Sequence, residues 1–505
     1  MSRNGRDSAL SDFAVAPWVS WRNYRSNVDT RNRSLLSNEK SHEYFLLEGC
    51  SSKIWQDLTE GDTHMFSADV SADEIREFLD ALFEAGLLFR EDDRVPPNPT
   101  KTSGEAYGDG EESARFEREM MDWAWSRGFL FSAHLELTYR CNESCIHCYN
   151  PGAALLPGER PQRQCHELST AEWKRIMNQL AEIGVFRLSL SGGEPTLRKD
   201  FLELVAHARK LGFSVVIFTN GLTISSSVFE SLVRLWPHSV EVSIYSANPE
   251  LHDRITNVPK SFQRSVEFLR KMQAAGIRTT MKTPLMRLNV GGYANCRALA
   301  QSLGADLVMD VGISPNVDGR QSSVDLNPDF ETLVALAKEV DAPTTSVNRN
   351  HVPQRRDVMA PVCGAGRNIL SVNPEGAITP CTAMPFVVGS VRDDDLTEIW
   401  RTALVHREDP EGRVTARGTI MDIGRRRLGD WQAITLQDFE ECGAQDKCGW
   451  CQEICPGDAL VISGNPLAPV EYRCKAAVAR MVAAKHSVDP IRASAGPETL
   501  GCKAN

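Results

Sequence analysis

Along the middle of the chain, from about Phe131 to Gly319, short apolar runs alternate with segments of helical spacing. The runs His134–Thr138, Arg187–Ser191, Ser214–Thr219, Val240–Ile244, Thr279–Pro284 and Leu307–Gly312 read as strands. Between them apolar residues recur every three or four positions. One such segment opens with Ser169 and Glu172, a capping box in which each side chain satisfies the other's free backbone donor. Six β-then-α units predict a parallel sheet curled into a partial barrel. The right-handedness of β-α-β crossovers puts the helices outside.

The flanks read differently. Tyr44–Leu47 predicts a strand, followed by a helix carrying Ile54, Trp55 and Leu58. A second capping box, Ser71 and Glu74, opens a helix with Ile75, Phe78, Leu79 and Leu82 on one face and Gly86 as its stop. Residues 17–95 therefore form a small α+β unit. Pro96, Pro97 and Pro99 lie in an acidic, glycine-containing stretch from Glu91 to Glu112 that buries too little to order itself. With the helix expected over Phe116–Arg127 it makes a linker and lead-in, 96–127, to a barrel over 128–325. From about Asn348 periodicity fades, and 345–505 is expected to be loop-rich, with metal replacing the missing core.

Composition narrows the class. Hydrophobic content of 42% and charged content of 24% are those of a globular protein. No apolar run approaches the ~18 residues needed to span a bilayer. The polar start from Met1 to Asp12 lacks a secretory core. The expectation is a cytoplasmic protein with no membrane partner. A net charge of −11 argues against nucleic acid, whose binders neutralise phosphate with Lys and Arg. Fourteen cysteines in that compartment point to metal or catalysis rather than disulfides.

The first cysteine group, Cys141-x3-Cys145-x2-Cys148, follows directly on the first barrel strand. In a parallel barrel, chemistry collects where the strands end. Three thiolates can hold three irons of a [4Fe–4S] cube and leave the fourth open. A zinc knuckle using the same cysteines, with His147 nearby, is the alternative. The second strand runs into Ser191-Gly192-Gly193-Glu194-Pro195, where paired glycines permit close backbone approach and Glu194 offers an acceptor.

Cys141, Cys145, Cys148 and the aromatic Tyr149 resemble the CX3CX2C signature of the radical S-adenosylmethionine superfamily, and Gly192–Pro195 resembles its GGEP motif. The resemblance covers the six-unit, TIM-like partial barrel. It implies an oxidoreductase in which the open iron binds S-adenosylmethionine and one electron from a flavodoxin- or ferredoxin-like donor releases a 5′-deoxyadenosyl radical. It places Gly192, Gly193, Glu194 and Pro195 on the methionine end of the cofactor, Ser243 on the ribose and Asn220 on the adenine side. No catalytic acid or base is assigned. Lys282 and Arg320, at late strand ends, could each face substrate.

Cys363, Gly376-x4-Cys381, Cys442, Cys448, Cys451, Cys455 and Cys474 resemble the SPASM extension, which implies two auxiliary [4Fe–4S] clusters. The order Cys442-x5-Cys448-x2-Cys451-x3-Cys455 departs from the family's usual CX2CX5CX3C. By position, Cys442, Cys448, Cys451 and Cys474 hold one cluster, and Cys363, Cys381 and Cys455 the other. The fourth ligand of the latter stays open between Cys502 and a substrate thiolate. A zinc ribbon is the alternative. Cys50, Cys165 and Cys296 read as plain buried thiols.

The N-terminal unit resembles the winged-helix (PqqD-like) peptide chaperone of pyrroloquinoline-quinone biosynthesis, which takes a leader peptide as an added strand; a DNA-binding winged helix or a structural cap is the alternative. Together the resemblances imply a maturase that forms a thioether or carbon–carbon crosslink in a leader-bearing precursor peptide. Sulfatase-type oxidation of a protein side chain, peptide epimerisation and a non-catalytic iron–sulfur scaffold stay open beside it.

Overall fold

The computed structural model describes residues 13–24, 33–41, 43–60, 71–90, 110–150, 166–222, 224–340, 362–408, 428–439, 451 and 454–488. Cys165, Cys442, Cys448 and Cys502 lie outside these residues, as does most of the proline-rich linker. Of the other cysteines expected to be buried, Cys296 is, whereas Cys50, at the start of a helix, is exposed.

In the N-terminal unit β1 (Phe13–Val15) pairs antiparallel with β5 (Leu88–Arg90). Beside them β2 (Val19–Tyr24), β3 (Arg33–Asn38) and β4 (Glu43–Glu48) form an antiparallel sheet in the order β2-β3-β4, so β4 is an edge. Two helices follow, Cys50–Glu60 and Ala72–Glu84. The second opens on the expected box, with Ser71 and Glu74 bonded both ways. Gly86 ends it at φ 68°, a conformation that suits glycine.

A helix over Gly110–Ser126 leads to the barrel. Its strands are β6 (Ser132–Thr138), β7 (Arg187–Gly192), β8 (Ser214–Thr219), β9 (Ser239–Ser243), β10 (Thr279–Lys282) and β11 (Asp306–Val308). All are parallel and each lies beside its predecessor. Leu135, Leu137, Leu188, Leu190, Val215, Ile217, Val240 and Val242 are buried on the face turned to the helices. The alternate residues turn inward. His134 meets Phe218 at 5.5 Å across the lumen, and the Lys282 ammonium lies 5.4 Å from the same ring. Polar residues on that inner face are why these strands alternate, where fully buried parallel strands read as unbroken apolar runs.

The C-terminal region is more regular than its sequence predicts. β12 (Ile369–Val372) adds to the barrel sheet beside β6, and β13 (Ala377–Thr379) and β14 (Gly389–Ser390) extend it antiparallel. Helices occupy Leu396–Glu408, Leu428–Ala433, Pro456–Ser463 and Glu471–Val488. The barrel and the C-terminal region thus share one sheet, and the boundary expected between 325 and 345 does not divide it.

The N-terminal unit is built onto the amino-terminal rim of the barrel, and its core is continuous with the barrel's. The Trp21 amide donates to the Gly212 carbonyl (2.8 Å), and a Cβ at Gly212 would meet the Trp21 ring at 2.8 Å. Arg22 donates to Val185 O and lies over Phe213, 4.6 Å from its centroid. The Arg209 guanidinium donates to the carbonyls of Pro17, Val19, Phe213 and Leu235 and to the Ser20 hydroxyl. Glu39, fully buried, accepts from Ser20, Ser37 and His238. Burial works against its charge, but His238, Arg209 and Ser20 outweigh it and hold the carboxyl low. On the neighbouring strand Arg187 bonds the Tyr44 hydroxyl (2.6 Å) and Glu117 (3.3 Å).

Candidate active site

At the opposite rim β6 runs into the loop that carries Cys141, Cys145 and Cys148. Cys141 is exposed, Cys148 half-buried and Cys145 buried. The Glu143 amide points at the Cys141 sulfur (3.5 Å), and the Asn220 amide lies 4.0 Å from it. Donors to sulfur of this kind tune an iron–sulfur cluster. The Cys145 thiol faces the Glu143 carboxyl (3.2 Å) and the Tyr245 hydroxyl (3.7 Å). Burial pushes the Cys141 thiol up to about 12, Cys148 to about 11 and Cys145 well above its ordinary value, so loading with iron must displace protons. His147, which a zinc knuckle would use, packs edge-on to Tyr245 with centroids 4.6 Å apart.

The glycine turn is pressed against this loop. A Cβ on Gly192, at φ 126°, would lie 2.3 Å from Thr138 O, and one on Gly193 would lie 2.3 Å from Arg140 O. Only a chain without side chains at both positions can make this approach. The amides of Gly193 and Glu194 donate to those same two carbonyls. Asn150 donates to Gly192 O (2.8 Å) and ties the far end of the cysteine loop to the turn. The result is a cradle of backbone and sulfur at the rim, which suits an open iron and the small amino-acid end of a cofactor.

Glu194 does not stand free as the sequence suggests. Its carboxylate is fully buried and accepts from the Thr196 amide and hydroxyl, the Thr219 hydroxyl (2.8 Å) and the Asn220 amide (2.7 Å). Burial raises its pKa, and these four donors restrain the rise. The side chain therefore holds the ends of β7 and β8 together, while Pro195 opens a single 3₁₀ turn behind it. Asn220 reaches the cysteine loop through Asn142 (2.6 Å). Ser243 ends β9 half-buried, and its hydroxyl bonds Tyr245, which carries it to Cys145. Lys282 faces the lumen, paired with Glu241 at 3.0 Å. Arg320 sits in a turn rather than at a strand end and is paired with Asp318 (2.8 Å).

The structure brings Cys363, Cys381 and Cys455 together: the Cys381 thiol, pushed up by burial, also feels the charges of the other two. Gly457 explains the approach, because a Cβ there would lie 2.2 Å from Ala383 O just beyond Cys381. Cys455 caps the helix that begins at Pro456. Cys451 is half-buried, and Cys474 lies on the long terminal helix next to Arg473. Arg473 bonds the buried Asp458 (2.9 Å) and packs on Gly312 of the barrel loop after β11. Among the described residues no three metal-ligating side chains converge as tightly as a single ion requires. In a cube each thiolate has its own iron, and the sulfurs stand farther apart than around one ion.

Several residues at this rim escaped the sequence reading: Glu136, Glu143, Tyr245, Asn150 and Asn316. Asn316 donates to the carbonyls of Cys148 and Asn150. Glu136 had a signal, a lone acid between Leu135 and Leu137 in a strand whose other face is core. The others are ordinary loop polar residues until folding sets them beside the cysteines.

The radical SAM superfamily matches residues 135–290, and an iron–sulfur cluster-binding domain (SPASM) matches residues 363–421. The chain is 30% identical over 302 residues to the PqqA peptide cyclase of Xanthomonas axonopodis pv. citri, covering 57% of this chain and 77% of that protein. It is 27% identical over 300 residues to the AdoMet-dependent heme synthase of Methanosarcina barkeri, covering 55% of this chain and 84% of the synthase. Among solved structures, Streptococcus suis SuiB bound to S-adenosylmethionine superposes with TM-score 0.50 at 15% identity, over 92% of this chain and 99% of SuiB. SuiB bound to the precursor peptide SuiA gives 0.51 with the same coverage. At such identities the likeness is one of fold.

Proposed function

This chain belongs to the radical SAM superfamily and is an enzyme of [4Fe–4S] clusters and S-adenosylmethionine; from that premise we propose that it oxidatively crosslinks a ribosomally made precursor peptide. The observation that carries this reading is the locked cradle of Cys141, Cys145, Cys148 and Gly192–Gly193 at the mouth of a polar lumen. When bound there, the cluster and S-adenosylmethionine supply a 5′-deoxyadenosyl radical, which takes a hydrogen atom from the peptide.

In this reading the three cysteines hold the catalytic cluster. The glycine turn receives the methionine end of the cofactor, held in place by Glu194 rather than touched by it. Asn220 and Ser243 line its adenosine side. Cys363, Cys381 and Cys455 hold one auxiliary cluster, and Cys442, Cys448, Cys451 and Cys474 the other. The peptide assignment is supported by the cyclase relative, whose name states a peptide substrate, and by a fold shared with SuiB over 92% of this chain. A winged-helix leader site on the open edge of β4, where Leu46 is 36% exposed, completes the reading. Residues 17–95, 128–325 and 345–505 are then the leader-binding, radical and auxiliary-cluster domains, and a flavodoxin or ferredoxin supplies the electron.

Geometry adds a condition. The N-terminal unit sits at the rim opposite the cysteines, and β6 between the rims has seven residues, a height of about 20 Å at ~3.3 Å per residue. A peptide held on β4 needs at least about six extended residues between its leader contact and the modified position.

The test uses the full chain, reconstituted anaerobically with iron, sulfide, S-adenosylmethionine and dithionite, with a candidate precursor added. About twelve irons per chain are expected for three clusters. Turnover should yield 5′-deoxyadenosine and a peptide lighter by about two hydrogens, as a crosslink requires. Unchanged peptide mass with deuterium uptake would instead indicate epimerisation. Cys141→Ala should abolish 5′-deoxyadenosine. Deleting the N-terminal unit is a poor test, because it strips Arg209, His238 and Val185 of their buried partners; Leu46→Asp on the open edge weakens leader binding without touching that network.

A further inference from the structure

Below the cysteine loop the lumen holds a set of titratable groups whose charges do not balance. β6 contributes His134 and Glu136, β9 Glu241 and β10 Lys282, while Tyr149 reaches down from the residue after Cys148. Lys282 and Glu241 neutralise each other at 3.0 Å. Burial pushes His134 down to about 4, so it is neutral. Arg320, at the mouth, is paired with Asp318. That leaves Glu136, 5% exposed, with no cationic partner among the described residues. Its contact is the Tyr149 hydroxyl, which donates to Oε1 at 3.3 Å.

A buried carboxylate without a counter-ion is costly, and the group escapes that cost by taking up a proton. Burial accordingly pushes the Glu136 carboxyl up to about 7, with only the Tyr149 hydrogen bond opposing the rise. A purely structural partner for Tyr149 would need no ionisable group. The path also leads somewhere: Tyr149 is hydrogen-bonded in turn by Thr382, the residue after Cys381. Glu136 is therefore joined through two hydroxyls to the loop that carries an auxiliary-cluster cysteine.

We propose that Glu136 is the group that accepts the peptide's second hydrogen as a proton, with Tyr149 and Thr382 linking it to the Cys381 loop. The proposal rests on the oxidative crosslinking reading above. The first hydrogen leaves a peptide carbon as an atom and forms the new C–H bond of 5′-deoxyadenosine. The carbon radical then bonds to sulfur or carbon of a second residue, whose X–H bond breaks. The proton of that bond passes to the Glu136 carboxylate, and the remaining electron reduces an oxidised auxiliary [4Fe–4S] cluster by one. Tyr149 stays a hydrogen-bond donor throughout.

Glu136→Gln keeps the volume and an oxygen for Tyr149 but cannot take a proton. In the reconstituted enzyme the ratio of crosslinked peptide to 5′-deoxyadenosine should fall about 100-fold or more, and Glu136→Asp should recover part of it. Independently of turnover, infrared spectra of the metal-free protein should show protonated-carboxyl absorption that titrates near neutral pH. Burial raises Glu143 to about 7 as well, so Glu136→Gln should remove the Glu136 component and leave that of Glu143. A Gln variant that couples as well as the parent, or one whose titrating absorption equals the parent's, overturns the proposal. Failure of the peptide reading looks different, because the parent enzyme itself then leaves the precursor unmodified.

Discussion

The two rims of the barrel are held by different physics. At the amino-terminal rim long charged side chains do most of the joining, beside the Trp21–Gly212 backbone bond: Arg22, Arg187, Arg209 and Glu39 cross from one unit to the other, Arg187 half-buried and the others buried. At the carboxyl-terminal rim the backbone itself makes the joint, through glycines pressed on carbonyls and amides aimed at sulfur. A side-chain joint fixes a unit firmly but fills the space it closes. A backbone joint leaves room beside it for a cluster and a cofactor. The base is built for rigidity and the mouth for occupancy.

The sharpest way to break this contrast is at the mouth. Gly193→Ala forces a Cβ to 2.3 Å from Arg140 O, where backbone must move. An ångström of misplacement can cost ~100-fold in rate, so 5′-deoxyadenosine formation should drop by at least that factor while urea unfolding changes far less. If both fall together, the mouth is a load of the fold and the contrast fails. At the base the expectation reverses. Arg209→Met removes the cation from a buried network and leaves Glu39 without it, which should cost about 3–5 kcal/mol in urea unfolding, with bound iron per folded chain unchanged.

Acid should act on the buried histidines before the carboxylates of the base. His134 and His252 are pushed down to about 4 by burial. Between their unfolded value near 6.5 and that folded value the unfolded chain binds more protons, so stability is full above about pH 6.5 and is lost as pH falls through 4. The slope of unfolding free energy against pH in that window should be shallower in His134→Gln, and an unchanged slope would count against a neutral His134. The smallest effect concerns the C-terminal region, whose Trp400 donates to Gly128 O (2.8 Å) at the base of β6. Trp400→Phe should cost about 1 kcal/mol for the hydrogen bond, beyond its change in volume.

How much of this was legible depends on the range of the interaction. The six barrel strands and both capping boxes follow from neighbours within a few residues, and all were found where the pattern put them, to within a few residues at the ends. The three short C-terminal strands were not. β12 has four residues, and its partner β6 lies far back in the sequence. The long terminal helix was missed for another reason: Ala476, Ala477, Val478 and Ala479 run together without the gaps that mark a helical face. At the site, Cys141, Cys145, Cys148 and the glycine turn announced themselves by spacing, whereas the saturation of Glu194 and the isolation of Glu136 depend on what other strands bring beside them.

The sequence by itself determined the barrel, the cysteine loop at a strand end and the glycines that let two loops touch, because each is a matter of local pattern and backbone freedom. Only the tertiary structure decided which acid is spent on holding the turn and which is left unpaired in the lumen. It alone set the N-terminal unit at the rim away from the chemistry. Charges and edges acquire their meaning from partners that are near in space and distant in the chain.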